Sequence, residues 1–320
     1  MSQTRLGYLY GIGAYTIWGF MPLYIKLLRP AGPVEVLAHR VLWSVVAVAV
    51  VLFAVRGWRR LRLVTERPNA LRTAALAAGV LAVNWGIYIY GVQTDRVVET
   101  ALGYFITPLV VVLLGVGFLG ERLRAAQRAA VGIGGAAVAV LTVVYGHIPY
   151  IAVSVALSFA GYGLLKKRLG LPAAQGLFIE SAVLALPVLA YVGWLTWRGE
   201  STFAAISPGH TALLVAAGAI TAVPLLMFAG AANRIPLTGL GMLQYITPIL
   251  QLGFGVLLFD EPMPPARLAG FALVWAALAV FTIDGIRHAH GARRTDPLAP
   301  RTGVDTSSAL QPAGAAPRMN

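Results

Sequence analysis

The chain has 320 residues, 58% of them hydrophobic and 12% charged, against roughly a quarter charged in an ordinary soluble domain. A formal charge of +13 raises nucleic acid as a partner, but the 25 basic residues sit almost wholly in loops between apolar stretches, the pattern of a membrane protein. Cysteine is absent, which excludes a disulfide framework, thiolate metal sites and cysteine nucleophiles.

Apolar runs of about 20 residues, enough to cross a bilayer core, predict an all-α integral membrane protein with ten transmembrane helices. The first, 7–28, follows the single basic residue Arg5, exceeds a signal-peptide apolar region and lacks a small-residue cleavage pattern, so it reads as retained. The second, 34–55, holds His39, Arg40 and Trp43; the third, 71–93, places Asn84 and Tyr88 on one face. The fourth, 99–119, carries Tyr104 and Pro108 and ends at Gly120-Glu121. The fifth, 124–145, is rich in glycine and alanine, which permit close helix packing. The sixth, 147–165, is short and begins beside Pro149, and the seventh, 174–194, contains one deep acidic residue, Glu180. The eighth covers 208–230. The ninth, 237–259, carries Gln244, Tyr245 and Pro248 and ends at Asp260-Glu261, and the tenth covers 264–286. Residues 291–320, rich in Pro, Ala, Arg, Ser and Thr, are expected to form a disordered cytoplasmic tail.

With the N-terminus inside, nineteen basic residues fall in inner segments and four, Arg29, Arg96, Arg198 and Arg267, in outer loops. This positive-inside bias places both termini in the cytoplasm of a multi-pass protein. Lys26 and Arg40 fall inside spans. Lys26 lies near a helix end and is expected to snorkel.

Phe105-Ile106-Thr107-Pro108 recurs as Tyr245-Ile246-Thr247-Pro248 in the second half of the chain. The register that lays Phe105 on Tyr245 also aligns Gly120-Glu121 with Asp260-Glu261, and Arg40 with Glu180. Five helices per half make each half odd, so the second enters the membrane reversed: residues 1–145 and 146–290 are expected to be inverted repeats. That architecture suits alternating access around a site near the midplane.

A charge at membrane depth normally faces a water-filled cavity or an opposite charge. Two readings of Arg40 and Glu180 stand. In one, Arg40 anchors a substrate anion while Glu180 meets a substrate amine or couples transport to protons; in the other they form an ion pair locking two helices. Trp18, Asn84, Tyr88, Tyr104, Gln244 and Tyr245 supply the sparse polar and aromatic groups that a small-molecule site needs. Pro108 and Pro248 each remove a backbone donor and serve either as hinges or as static bends. No Walker-type loop, H-E-x-x-H or G-x-S-x-G motif is present, so no enzyme, metal or cofactor is expected.

Ala14-Tyr15-Thr16-Ile17-Trp18-Gly19, His39-Arg40-Val41-Leu42-Trp43-Ser44, Asn84-Trp85, Leu102-Gly103-Tyr104-Phe105-Ile106-Thr107-Pro108-Leu109, Leu119-Gly120-Glu121-Arg122 and Ile179-Glu180 resemble the RarD-type proteins of the EamA branch of the drug/metabolite transporter superfamily. The resemblance covers residues 5 to about 290. It implies a bacterial inner-membrane permease of two EamA repeats, monomeric or homodimeric. The implied activity is export of small amphipathic metabolites or drugs, such as amino acids or chloramphenicol-like compounds. The alternatives are an uptake permease of the same fold and a non-transporting sensor or scaffold. The turn Asp260-Glu261-Pro262 departs from the Gly-Glu form of the first repeat.

Overall fold

The computed structural model describes residues 2–54, 56–61, 69–120, 122–169, 171 and 173–295; Glu121 and 296–320 lie outside them. The described chain is helical: α1 (Gln3–Gly19), α2 (Met21–Leu27), α3 (Pro33–Ala54), a 3-10 turn (Gly57–Leu61), α4 (Ala70–Gln93), α5 (Val97–Leu119), α6 (Ala125–Tyr145), α7 (Tyr150–Leu169), α8 (Ala173–Trp197), α9 (Pro208–Ala232), α10 (Leu237–Leu243), α11 (Ile246–Leu257) and α12 (Pro265–Thr295). Eight segments among the described residues are long and apolar enough to cross a membrane. One lies in each of α3, α4, α5, α6, α8, α9 and α12, and the eighth spans Gly239–Leu257 across α10 and α11. The sixth expected span corresponds to a shorter apolar helix, the Tyr150–Lys166 part of α7, and the first to the 17-residue α1 followed by α2. α12 runs to Thr295, past the boundary expected at 290.

Two expected helices are broken. The stretch 7–28 divides at Phe20, because Pro22 has no N–H for the carbonyl of Trp18 four residues earlier. Gln251 Nε2 supplies that bond from α11 at 3.1 Å. The stretch 237–259 divides at Gln244-Tyr245, so Pro248 falls in the first turn of α11, where a missing N–H costs nothing. Pro108 instead lies inside a continuous α5. The two prolines were expected at equivalent interior positions; Pro108 lies within an unbroken helix and Pro248 opens one.

Gly120 and Gly146 end α5 and α6 in the left-handed region, with φ of 66° and 71°. Asp260 makes the same left-handed turn, at φ 52°. Aspartate tolerates that conformation better than most residues, so the departure from glycine leaves the turn intact. The next residue, Glu261, accepts from the backbone N–H groups of Val97 and Val98 at 2.5 and 2.8 Å. It thereby satisfies two of the orphan donors that open α5.

α3 and α8 are antiparallel neighbours. Val48 and Leu52 near the end of α3 pack on Leu177, Ala174 and Phe178 near the start of α8. At the other end, Glu35 accepts from Thr202 N at 2.7 Å and Ser201 Oγ at 3.1 Å, just beyond α8. α4 and α5 pack on α7, α1 and α3 on α9, α11 on α1 and α5, and α12 on α6. In a bilayer these contacts depend on close van der Waals approach. At Gly218 a Cβ would strike the backbone carbonyl of Trp43, so glycine brings α9 directly onto α3.

Candidate functional site

Arg40 sits on α3, seven residues past Pro33, and is 7% exposed. Its Nε donates to Thr221 Oγ1 on α9 at 3.0 Å. Thr221 is one turn beyond Gly218, so the close approach of the two helices is what brings this hydroxyl within reach. The guanidinium lies over the ring of Trp85, 4.1 Å from its centroid, and Tyr24, Tyr88 and Tyr104 surround it. Among the described residues, Arg40 forms no ion pair with a carboxylate, and the Thr221 contact is its sole hydrogen bond.

The surrounding tyrosines are held apart from the charge in different ways. Tyr24 donates to Leu213 O at 2.7 Å. Tyr88 and Tyr104 meet edge to face at 5.7 Å, and Tyr104 meets Phe159 at 5.9 Å. Among the described residues the buried Tyr88 hydroxyl has no hydrogen-bond partner. A cation over an indole gains about 0.5–2 kcal/mol, while an arginine at membrane depth costs at least about 2.5 kcal/mol. The cage tolerates the charge without neutralising it.

Glu180, 1% exposed, does not pair with Arg40. It lies seven residues past Ala173, the start of α8. Because α3 and α8 run oppositely, the two charges enter the bundle from opposite ends. Glu180 Oε1 accepts from Lys166 Nζ at 2.8 Å and Oε2 from the Tyr162 hydroxyl at 2.9 Å, both on α7. Gly176, one turn earlier on α8, leaves the space that Lys166 crosses. The ion-pair reading of Glu180 is thus met by a partner other than the one considered.

The structure gathers Trp18, Tyr24, Tyr88 and Tyr104 into one apolar cluster beside Arg40. Asn84 faces α7, donating to Val155 O at 3.1 Å and Ser158 Oγ at 3.0 Å. Gln244 caps the end of α10, and Tyr245 packs beside the Phe105–Phe271 core instead of Arg40. Trp43 turns to His39, donating Nε1 to Nδ1 at 3.3 Å, and His39 stacks on Phe203 at 4.9 Å.

Tyr24, Trp85, Thr221, Tyr162 and Lys166 were not expected from sequence as site residues. Trp85 had a signal, its place beside Asn84; Lys166 had another, its alignment with Lys26 in the repeat register. Thr221 had none, since only the α3–α9 crossing makes it a neighbour of Arg40. Among the described residues no three His, Cys, Asp or Glu side chains converge as a metal site.

Eight membrane-length apolar segments among the described residues give the build of a multi-pass membrane protein, and the comparisons give its family. Residues 5–143 match the EamA-like transporter family model. The chain is 51% identical to Protein RarD of Streptomyces exfoliatus, over 93% of this chain and 95% of that one. It is 40% identical to the uncharacterized transporter YojE of Bacillus subtilis (strain 168), over 89% and 96%. It is 31% identical to the chloramphenicol-sensitive protein RarD of Pseudomonas aeruginosa, over 90% and 97%. A solved crystal structure shares the fold, with TM-score 0.58 and 21% identity over 88% of this chain and 99% of that one. The chain belongs to the EamA-like transporter family as a RarD-like permease, a multi-pass inner-membrane protein rather than an enzyme.

Proposed function

We propose that the chain is a secondary transporter that binds an anionic group of a small amphipathic solute on Arg40 and exports it by alternating access. The observation that carries this reading is Arg40 itself: buried, planar, forked, and without a carboxylate of its own among the described residues. A guanidinium presents parallel donors that match a carboxylate or another planar anion, and a substrate anion would relieve the desolvation that Trp85 and Thr221 offset only in part.

In this reading Trp18, Tyr88 and Tyr104 line the site, and Asn84, Gln244 and Tyr245 border the path. Pro108 and Pro248 mark the hinges. Glu180 is the coupling residue: a proton reaching its carboxyl would release Lys166. The protein crosses the membrane ten times in two inverted five-helix repeats, 1–145 and 146–290, with both termini cytoplasmic, and one monomer houses the path.

Three observations support the repeat. Gly120 and Asp260 make the same left-handed turn. Glu35 reaches the loop after α8, while Gln175, its counterpart in the repeat register, donates to Gly57 O after α3. The α5–α7 packing has its counterpart in α1–α11.

The test is counterflow in liposomes with a panel of amino acids and chloramphenicol, for the wild type, Arg40→Gln, Arg40→Lys and Glu180→Gln. Wild-type uptake that falls at least about tenfold in both Arg40 variants supports the anchor, since lysine loses the fork and the indole stacking. Unchanged uptake in Arg40→Gln removes Arg40 from the site. A folded wild type that moves no member of the panel favours a sensor.

A further inference from the structure

Thr107 and Thr247 are counterparts in the repeat register, both 7% exposed, yet they hold different hydrogen bonds. Thr107 Oγ1 donates back to Gly103 O in its own helix at 2.8 Å. Thr247 Oγ1 donates across the bundle to Tyr15 O on α1, also at 2.8 Å. The same register lays Tyr15 on Val155 of α7, whose carbonyl accepts from Asn84 Nδ2 at 3.1 Å.

α5 already touches α7 at this level: a Cβ on Gly103 would come 2.8 Å from Ala152 O and 2.9 Å from Val155 Cβ. The counterpart of Gly103 is Leu243, the last residue of α10, immediately before the break at Gln244-Tyr245. The cross-bundle threonine therefore accompanies a broken helix, and the back-bonded threonine accompanies a continuous one.

A threonine hydroxyl can donate to the carbonyl four residues back, a bond that adds little to a helix and tends to bend it, or to a carbonyl on a neighbour, which ties two helices together. The proline next to each threonine leaves the carbonyl of Tyr104 or Gln244 without its helical donor. Both helices are weakened at the same point, so moving the break from one to the other forfeits no further backbone bond there.

Resting on the inverted-repeat transporter reading above, we propose that Thr107 and Thr247 are positioning residues caught in the two alternative settings of one switch. In the opposite-facing state Thr107 donates to Val155 O, displacing Asn84 Nδ2, and α5 breaks before Phe105. Thr247 turns back to Leu243 O, and α10 and α11 join. Asn84 keeps Ser158 Oγ as acceptor. The break in α1 stays, because the counterpart of Pro22 is Tyr162.

The test uses the absence of native cysteine. Single reporters, Phe259→Cys beneath Lys26 and Phe178→Cys beside Trp58, are labelled with a polar maleimide in purified full-length protein, and the ratio of the two rates is followed. Each threonine donates in both states, but its back-bond adds little to a helix, so Thr247→Val weighs against the present state through the lost bond to Tyr15 O, and Thr107→Val weighs against the other state through the lost bond to Val155 O. The ratio is expected to shift in opposite directions by about fivefold, the weight of one net hydrogen bond. Thr→Ser at each position, which keeps the hydroxyl, is expected to restore it. Shifts in the same direction, or none in monodisperse variants, overturn the switch. Labelling needs no substrate, so this failure is separate from a failure of the transport reading.

Discussion

Removing Lys166 is expected to cost more than removing the charge of its partner, because the two sit in different surroundings. Glu180 is 1% exposed on its side chain, and its carboxylate meets the Lys166 ammonium at 2.8 Å and one tyrosine hydroxyl at 2.9 Å. Lys166→Met leaves that anion buried with Tyr162 alone, and breaking a buried pair in this way costs about 3–5 kcal/mol. Glu180→Gln keeps an acceptor for Tyr162, and the freed ammonium, 24% exposed, can hydrate. Its expected cost is about 1–2 kcal/mol, that of one charge-assisted hydrogen bond regained partly from water. The double variant Lys166→Met/Glu180→Gln should be less damaging than the sum by about 2 kcal/mol, since no uncompensated charge remains. Reversible unfolding of purified protein in mixed micelles measures all four corners of the cycle. A Glu180→Gln cost equal to or above that of Lys166→Met, or a strictly additive double variant, would refute the argument that a buried anion is what Lys166 compensates.

Gly218→Ala should destabilise by about 1–3 kcal/mol through overpacking against the Trp43 carbonyl, and substrate affinity should fall with it as Thr221 retreats from Arg40; thermal unfolding and counterflow read the two effects separately. Gln251→Leu strands the Trp18 carbonyl that Pro22 deprived of its helical donor, at an expected cost of about 1–3 kcal/mol, visible as a lower unfolding midpoint. Asp95, in the turn between α4 and α5, is held below the usual carboxylate range by its hydrogen bond from Lys26. Its contribution is present above the unfolded value and lost as pH falls through the folded one, so Asp95→Asn should flatten the acid limb of the stability profile. At 59% side-chain exposure the effect should stay below about 1 kcal/mol. Glu261 has the opposite sign: burial raises it, the native state binds the extra proton, and stability should decline as pH climbs from the ordinary carboxylate value through the raised one. Glu261→Gln should abolish that decline in pH-dependent unfolding.

Composition and periodicity alone determined an all-α membrane chain, because apolar runs of about 20 residues have few other uses. The register that lays Ile106-Thr107-Pro108 on Ile246-Thr247-Pro248 also set Arg40 against Glu180, because a recurring motif is visible in the sequence itself. The direction of neighbouring helices is not written in a motif. α3 and α8 run antiparallel, so residues seven positions into each stand about 10 Å in from opposite ends at about 1.5 Å per residue, and Arg40 and Glu180 take separate partners. The same limit hid Thr221, which becomes a neighbour of Arg40 only where Gly218 lets α9 touch α3. The identical Ile-Thr-Pro motif ends up inside a continuous helix in one half and at a break in the other. A local sequence can offer both conformations, and the packing around it selects one.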